Sequence, residues 1–209
     1  MRDYERWHEA YEDPGSSLSW RLRIVQEHII AALERYPGPV RVLSSCAGDG
    51  RDILGVLAQR RDADRVSVTL LELHPRIAQQ AREAAAAVSA RVEVRTVDAG
   101  TTDAYVGAVP ADLVLMVGIF GNISDEDLQR TIAATPELCR PGSTLLWSRG
   151  CDHGDRNDLV RAGFVAAGFA ELDYSRLDND GDITAIGAMR YDGGDKALLA
   201  GQRLFTFLR

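Results

Sequence analysis

The chain has little of what marks a secreted, membrane-spanning or metal-binding protein. Its three cysteines, Cys46, Cys139 and Cys151, are an odd number, and no two stand at metal-ligand spacing. They are expected to be reduced thiols in a cytoplasmic protein, with no metal site. No apolar run is long enough to cross a bilayer, and the opening Met-Arg-Asp-Tyr-Glu-Arg-Trp-His is too polar for a secretory signal. Positive charge is the minority: 24 Lys and Arg stand against 31 Asp and Glu, a formal net charge of −7. An acidic surface repels phosphate backbones, so neither nucleic acid nor a membrane is the expected partner. Internal repeats and low-complexity linkers are also missing, and 209 residues suffice for one sizeable domain.

What is present is an alternation of strand and helix patterns. A polar, aromatic opening with Trp7, His8 and Tyr11 ends in the turn signal Asp13-Pro14-Gly15-Ser16-Ser17. Ser17 or Ser19 can cap a helix over about 20–35, whose apolar residues recur at helical spacing. Pro37-Gly38-Pro39 stops it. Strands are then expected at 40–45, 66–72, 91–97, 111–118 and 143–148. Helices are expected at about 51–60, 75–88, from Asp125 onward behind a Ser124 cap, and at about 155–167. The run 111–118 is apolar throughout and reads as a buried parallel strand. The end changes character: 169–177, 183–191 and 204–208 are strand-like, and Asp180-Gly181 is a hairpin signal. The acids at 178–182 only superficially resemble a calcium loop, because the glycine comes early and no Glu closes it.

The most informative stretch is residues 40–52, a β-branched run that breaks into a glycine corner and then a helix. Gly48 and Gly50 lack Cβ atoms, so a ligand can approach the backbone closely. Such a corner at the carboxyl end of a first strand suits a nucleotide-like cofactor. A nicotinamide fingerprint needs a third glycine three residues on, and that place holds Ile53.

The ordered motifs resemble the class I S-adenosylmethionine (SAM)-dependent methyltransferases over roughly residues 38–191. The family's first motif, an acid and three alternating glycines, falls on Ser44, Cys46, Gly48 and Gly50. Ser44 stands in place of the acid and Cys46 in place of the first glycine, so Asp49 or the N-terminal segment is expected to supply the lost contact to the methionine ammonium. The resemblance implies a Rossmann-like, seven-stranded mixed sheet with an antiparallel C-terminal hairpin. Residues 1–36 would form a helical cover and 37–209 the SAM-binding domain. It also implies a cofactor site made of Ser45, Ala47, Gly48, Asp49, Gly50, Glu72, Leu73, Asp98, Ala99, Gly118, Ile119 and Phe120. In that site Glu72 accepts from the ribose hydroxyls, and Asp98 and the Ala99 N–H read adenine. The loop from Gly118 to Asn122 floors the pocket. Each acid has a plainer reading beside this one: Glu72 can cap its strand, and Asp98 can cap the turn at Ala99-Gly100.

Methyl transfer from a sulfonium is an in-line displacement driven largely by alignment, so it leaves little catalytic signature. Asp152 and His153, after the fifth strand, are the candidate base, His153 having an ordinary pKa suited to that work. The same residues also read as a loop and helix cap. Tyr11, Trp20, Arg21, Asn122 and Arg149 are the candidate acceptor and lid residues. A short cover favours a small-molecule acceptor, handled by a monomer or homodimer. The competing expectation, prompted by Ser44 and Cys46, is a cofactor-binding regulator without catalysis of its own.

Overall fold

β1 (Val40–Ser45) is the hub of the molecule. Its neighbours along the chain are α1 (Ser17–Arg35) before it and α2 (Arg51–Leu57) after the glycine corner. The alternation continues through β2 (Val66–Glu72), α3 (Pro75–Ala85), β3 (Arg91–Thr96), β4 (Ala111–Met116), α4 (Asp125–Ala134), β5 (Cys139–Gly150) and α5 (Asn157–Ala166). It closes with the antiparallel pair β6 (Phe169–Asn179) and β7 (Asp182–Tyr191). The computed structural model describes residues 13, 15–150, 154–179 and 181–208. Tyr11, Asp152, His153 and Cys151 lie outside the described residues.

The seven strands form one sheet in the order β3-β2-β1-β4-β5-β7-β6. β1 to β5 are mutually parallel, and β7 runs antiparallel between β5 and β6. The strand order reverses between β1 and β4, and in such sheets ligands bind in the crevice at the carboxyl ends there.

Every residue of β4 is buried, and so is every residue of β1 except Arg41, which is why these strands carry apolar residues on both faces. Along β1 and β4 the two-residue period sends Val42, Leu113 and Leu115 to one face and Leu43, Val114 and Met116 to the other. The first face is covered by α1, α2 and α3. The second is covered by α4 and α5 and carries the aromatic cluster of Phe120, Trp147, Phe164, Phe169 and Tyr191. β3, at the edge, alternates in exposure as its sequence does.

α1 begins earlier than its apolar pattern indicates. Its N-cap is Ser16, not Ser17 or Ser19: the Ser16 hydroxyl accepts from the Ser19 N–H at 3.1 Å. Val25, Ile29, Ala32 and Leu33 form its buried stripe, part of the same core as β1 and β2. Full burial of each of the larger three stabilises by roughly 1.5–3 kcal/mol. The far end of α1 is tied down by Arg65, whose guanidinium donates to the Leu33, Tyr36 and Gly38 carbonyls.

Other boundaries shift for identifiable reasons. α2 and α3 stop at Leu57 and Ala85, short of the expected 60 and 88. β5 starts at Cys139 and runs past Ser148 to Gly150, because β7 offers it a second edge from Thr144 to Gly150. The expected strand at 204–208 does not form. That segment is a strap laid across the loops after β3 and β4, with a single bridge between Thr101 and Arg203. Leu204 N–H donates to Gly100 O, Thr206 N–H to an Asp127 carboxylate oxygen, and Leu208 N–H to Asn122 O. Its apolar residues read as a strand, but Leu204 and Phe205 are buried by the loops rather than by a sheet neighbour.

Candidate functional site

The corner after β1 is shaped by left-handed backbone. Cys46, Gly48 and Gly50 have φ of 53°, 59° and 75°. Cys46 thus adopts the conformation of a glycine without being one, which costs a residue bearing a Cβ roughly 1–2 kcal/mol. The two glycines differ in what surrounds them. A Cβ on Gly48 would meet nothing within 4 Å, whereas one on Gly50 would lie 2.9 Å from both Leu54 Cδ1 and Leu70 Cδ1. Gly48 opens the corner to the crevice; Gly50 lets α2 pack on the sheet.

Glu72 closes the corner from the end of β2. One carboxylate oxygen accepts from the Gly48 N–H at 2.9 Å and the other from the His74 N–H at 2.8 Å. The carboxylate therefore stands directly beside the open glycine. Leu73, next in the chain, is 62% exposed, an apolar side chain left in solvent at the rim of the crevice.

The loop after β3 is held from two sides. Asp98 accepts from the Gly100 N–H at 2.8 Å and pairs with Arg203 of the strap at 2.7 Å. The turn-capping reading of Asp98 is thus realised in the structure, and a cation already sits on its second oxygen. Ala99 is buried, and its carbonyl accepts from the Tyr105 hydroxyl at 2.8 Å. That hydroxyl also lies 3.2 Å from Ser45 Oγ, so Tyr105 ties the ends of β1 and β3 together. Ser45 is an interior residue of this network, 1% exposed. Burial pushes the Cys46 thiol up, and the Glu72 and Asp98 carboxylates add to the shift. Cys46 is accordingly a packed thiol rather than a ready nucleophile.

After β4, Gly118 turns with φ of 79°. Its N–H donates to Ser148 Oγ at 2.9 Å, and its carbonyl accepts from the Asn122 side-chain amide at 2.8 Å. Ile119 and Phe120 are buried, and the Phe120 ring meets Phe164 edge-on at 5.7 Å. Their side chains belong to the core, so only their backbone is available to a ligand. Gly121 approaches Gly150 so closely that a Cβ there would lie 2.7 Å from the Gly150 carbonyl oxygen. Gly150 is the last described residue before Asp152 and His153. Arg149 is buried at 3% exposure and donates to Gly154 O at 2.8 Å.

From α1, Arg21 reaches the turn after β4: its Nη1 lies 3.7 Å from a Cβ placed on Gly118. Trp20 packs against the core shared by α1 and α2. The Asp49 carboxylate is held by Arg51 at 2.6–3.0 Å. At the carboxyl ends of β1, β2 and β4 the structure thus sets Gly48 beside Glu72 and Gly118 beside Asn122 and Arg21, while Ser45, Ala99, Ile119 and Phe120 are buried. Tyr105, Ser148 and Arg203 are additions that no motif announced. Ser148 adjoins the expected Arg149, but Tyr105 and Arg203 reach the site only through loop packing. Among the described residues, no group of three or more His, Cys, Asp or Glu could hold a metal ion. No described helix is long and apolar enough to cross a membrane.

No family model matches the chain, and no curated protein sequence does. Solved structures do. Magnesium protoporphyrin IX methyltransferase from Synechocystis PCC 6803 with bound SAM matches with a TM-score of 0.69 at 12% identity, over 91% of each chain. The Burkholderia thailandensis 1,6-didemethyltoxoflavin-N1-methyltransferase, with its substrate and S-adenosylhomocysteine bound, matches with a TM-score of 0.65 at 20% identity, over 91% of this chain and 84% of that one. The [4+2]-cyclase SpnF matches with a TM-score of 0.60 at 18% identity, over 81% of each chain. With its reversed strand order and C-terminal antiparallel hairpin, the chain has the Rossmann-like fold of the class I methyltransferases.

Proposed function

We propose that the protein is a SAM-dependent methyltransferase acting on a small-molecule acceptor by in-line transfer to oxygen or nitrogen. The observation that carries this reading is Glu72: its carboxylate stands beside the open face of Gly48, at the carboxyl end of the strand next to the switch point. The residues fit the cofactor. Gly48 leaves room at the backbone, Glu72 offers two acceptor oxygens to a ribose diol, and Leu73 is an exposed apolar surface for a flat base. Asp98 and the Ala99 N–H lie beyond, with Arg203 sharing the Asp98 carboxylate. When bound, the cofactor supplies an electrophilic methyl group. The chain's task is then to align the acceptor and exclude water, and proximity supplies much of the rate. Asn122 and Arg149, after β4 and at the end of β5, are the candidate acceptor residues, and Asp152 and His153 are the candidate base. The small acceptors named for two structural neighbours are in keeping with this reading.

Titration calorimetry with S-adenosylhomocysteine tests the cofactor. The wild type binds it, and Glu72→Ala weakens binding by roughly 1–3 kcal/mol through the lost acceptor bonds. Failure of the wild type to bind either the product or SAM would sink the reading. Labelled cofactor with fractionated metabolite extract, read by mass, then finds the acceptor. Cys46 and Ser44 favour a second reading, cofactor binding without turnover, which is the outcome if binding is measured and no fraction is methylated.

A further inference from the structure

The loop after β3 is met by a cation from the strap. The Asp98 carboxylate takes the Gly100 N–H on one oxygen at 2.8 Å and Arg203 Nη1 on the other at 2.7 Å. Both side chains of this pair are about half exposed, 46% for Asp98 and 49% for Arg203. The pair stands at the carboxyl end of the sheet, on the strand next to that of Glu72. β2 and β3 pair Glu72 with Thr96, and the Val97 N–H donates to the Glu72 carbonyl. Among the described residues, the hydrogen bonds of Arg203 all leave from Nη1, the second going to the Phe205 carbonyl at 3.4 Å. The donors on Nε and Nη2 stay open to solvent or a ligand.

The pair is not needed to fasten the strap. Backbone bonds do that: Thr102 N–H to Gln202 O at 3.0 Å, and Leu204 N–H to Gly100 O and Leu208 N–H to Asn122 O at 2.8 Å. Leu204 and Phe205 are buried beneath them. Gly100 is the seat, since a Cβ there would press on the Phe205 carbonyl oxygen and lie 2.8 Å from Arg203 Nη1. An ion pair as exposed as Asp98–Arg203 adds little to stability. Its chemistry explains it better. A carboxylate has about four acceptor positions, and Asp98 fills one on each oxygen. An open acceptor position of Asp98 and the open donors of Arg203 are therefore neighbours. The side-chain amide of Asn or Gln offers the same acceptor beside a donor, and it matches the edge of adenine that carries the 6-amino group and N7. A 6-oxo base offers two acceptors on that edge and would set one against the carboxylate.

We propose that Arg203 sets the base specificity of the site: Asp98 accepts from the 6-amino group of adenine while Arg203 donates to N7. This rests on the cofactor reading above, and it makes the C-terminal strap part of the binding site. Calorimetry on the full chain compares S-adenosylhomocysteine with its 7-deaza analogue, in which C–H replaces N7. The proteins are the wild type, Arg203→Ala and Arg203→Met, the last keeping an apolar stem, after circular dichroism confirms folding. The wild type is expected to bind S-adenosylhomocysteine roughly tenfold to a hundredfold more tightly than the analogue, the effect of one charged hydrogen bond. In both variants that preference is expected to fall below about threefold, through weaker binding of S-adenosylhomocysteine alone. The proposal is overturned if the wild type binds the two ligands equally. It is also overturned if a folded variant keeps the preference, including by weakening both ligands in proportion, which would make Arg203 a merely structural residue. If the wild type binds neither ligand, the cofactor reading itself fails and this assignment falls with it.

Discussion

Gly48 and Gly50 are two residues apart in one corner, share the same backbone region, and should respond to the same substitution for different reasons. In Gly48→Ala the new methyl group enters open space, so only the left-handed backbone resists it. That strain is worth roughly 1–2 kcal/mol, offset by about 0.4–1 kcal/mol from the stiffer unfolded chain. The net is about 1 kcal/mol, or roughly 2–4 °C in Tm for a chain of this length. In Gly50→Ala the same strain applies, but the methyl group also meets two leucine ends at 2.9 Å inside a packed core. Overpacking adds roughly 1–3 kcal/mol, so the total is about 2–4 kcal/mol and a fall of roughly 4–16 °C. Thermal and urea unfolding measure both. Calorimetry with S-adenosylhomocysteine then shows whether the open side of Gly48 is the ligand side, with an expected loss of roughly tenfold or more. If Gly48→Ala proved as destabilising as Gly50→Ala, the assignment of open and packed sides would be wrong. If it were stable and bound the ligand normally, the crevice would lie elsewhere.

Asp52 gives a pH-dependent signature of its own. Its carboxyl is raised by burial from 3.8 to about 6, so the folded chain holds that proton more tightly than the unfolded chain does. Stability should therefore fall as pH rises from about 4 to 6 and stay lowered above it, and Asp52→Asn should gain about 1–3 kcal/mol at pH 7.5 by urea unfolding. A loss of stability there would contradict the sign. Tyr105→Phe removes the hydroxyl that satisfies the buried Ala99 carbonyl and should cost about 1–3 kcal/mol in the same assay; no measurable change would refute the network. Burial raises the thiols of Cys46 and Cys139, the latter up to about 12. Peptide mapping after iodoacetamide at pH 8 should find both unlabelled in the folded chain and labelled in urea, and rapid labelling of Cys46 would contradict its packed state.

Some of this was legible along the chain. Period-two and period-3.6 patterns located the parallel strands and most of the helices, because an element with one buried face repeats its apolar residues at its own backbone period. Glycines where φ is positive and an acid ending β2 marked the corner that Glu72 closes. The segment 204–208, expected as a strand, is a strap instead, since a buried apolar run looks the same whether a sheet or two loops cover it. The extension of β5 could not be read either, because it depends on β7, which arrives more than thirty residues later.

The sequence by itself determined the alternation of elements and the glycine corner, which follow from local periodicity and residue type, while the seven-stranded sheet and the cofactor site were implied by the resemblance to the class I methyltransferases. Only the tertiary structure decided which polar groups face that site. It turned Ser45, Ile119 and Phe120 into the interior, gave Asp98 to Arg203, and set Arg21 against the turn at Gly118. Those pairings join residues up to 105 positions apart. The direction of a side chain at the end of a strand is fixed by what packs on it from elsewhere in the chain, and no local pattern carries that information.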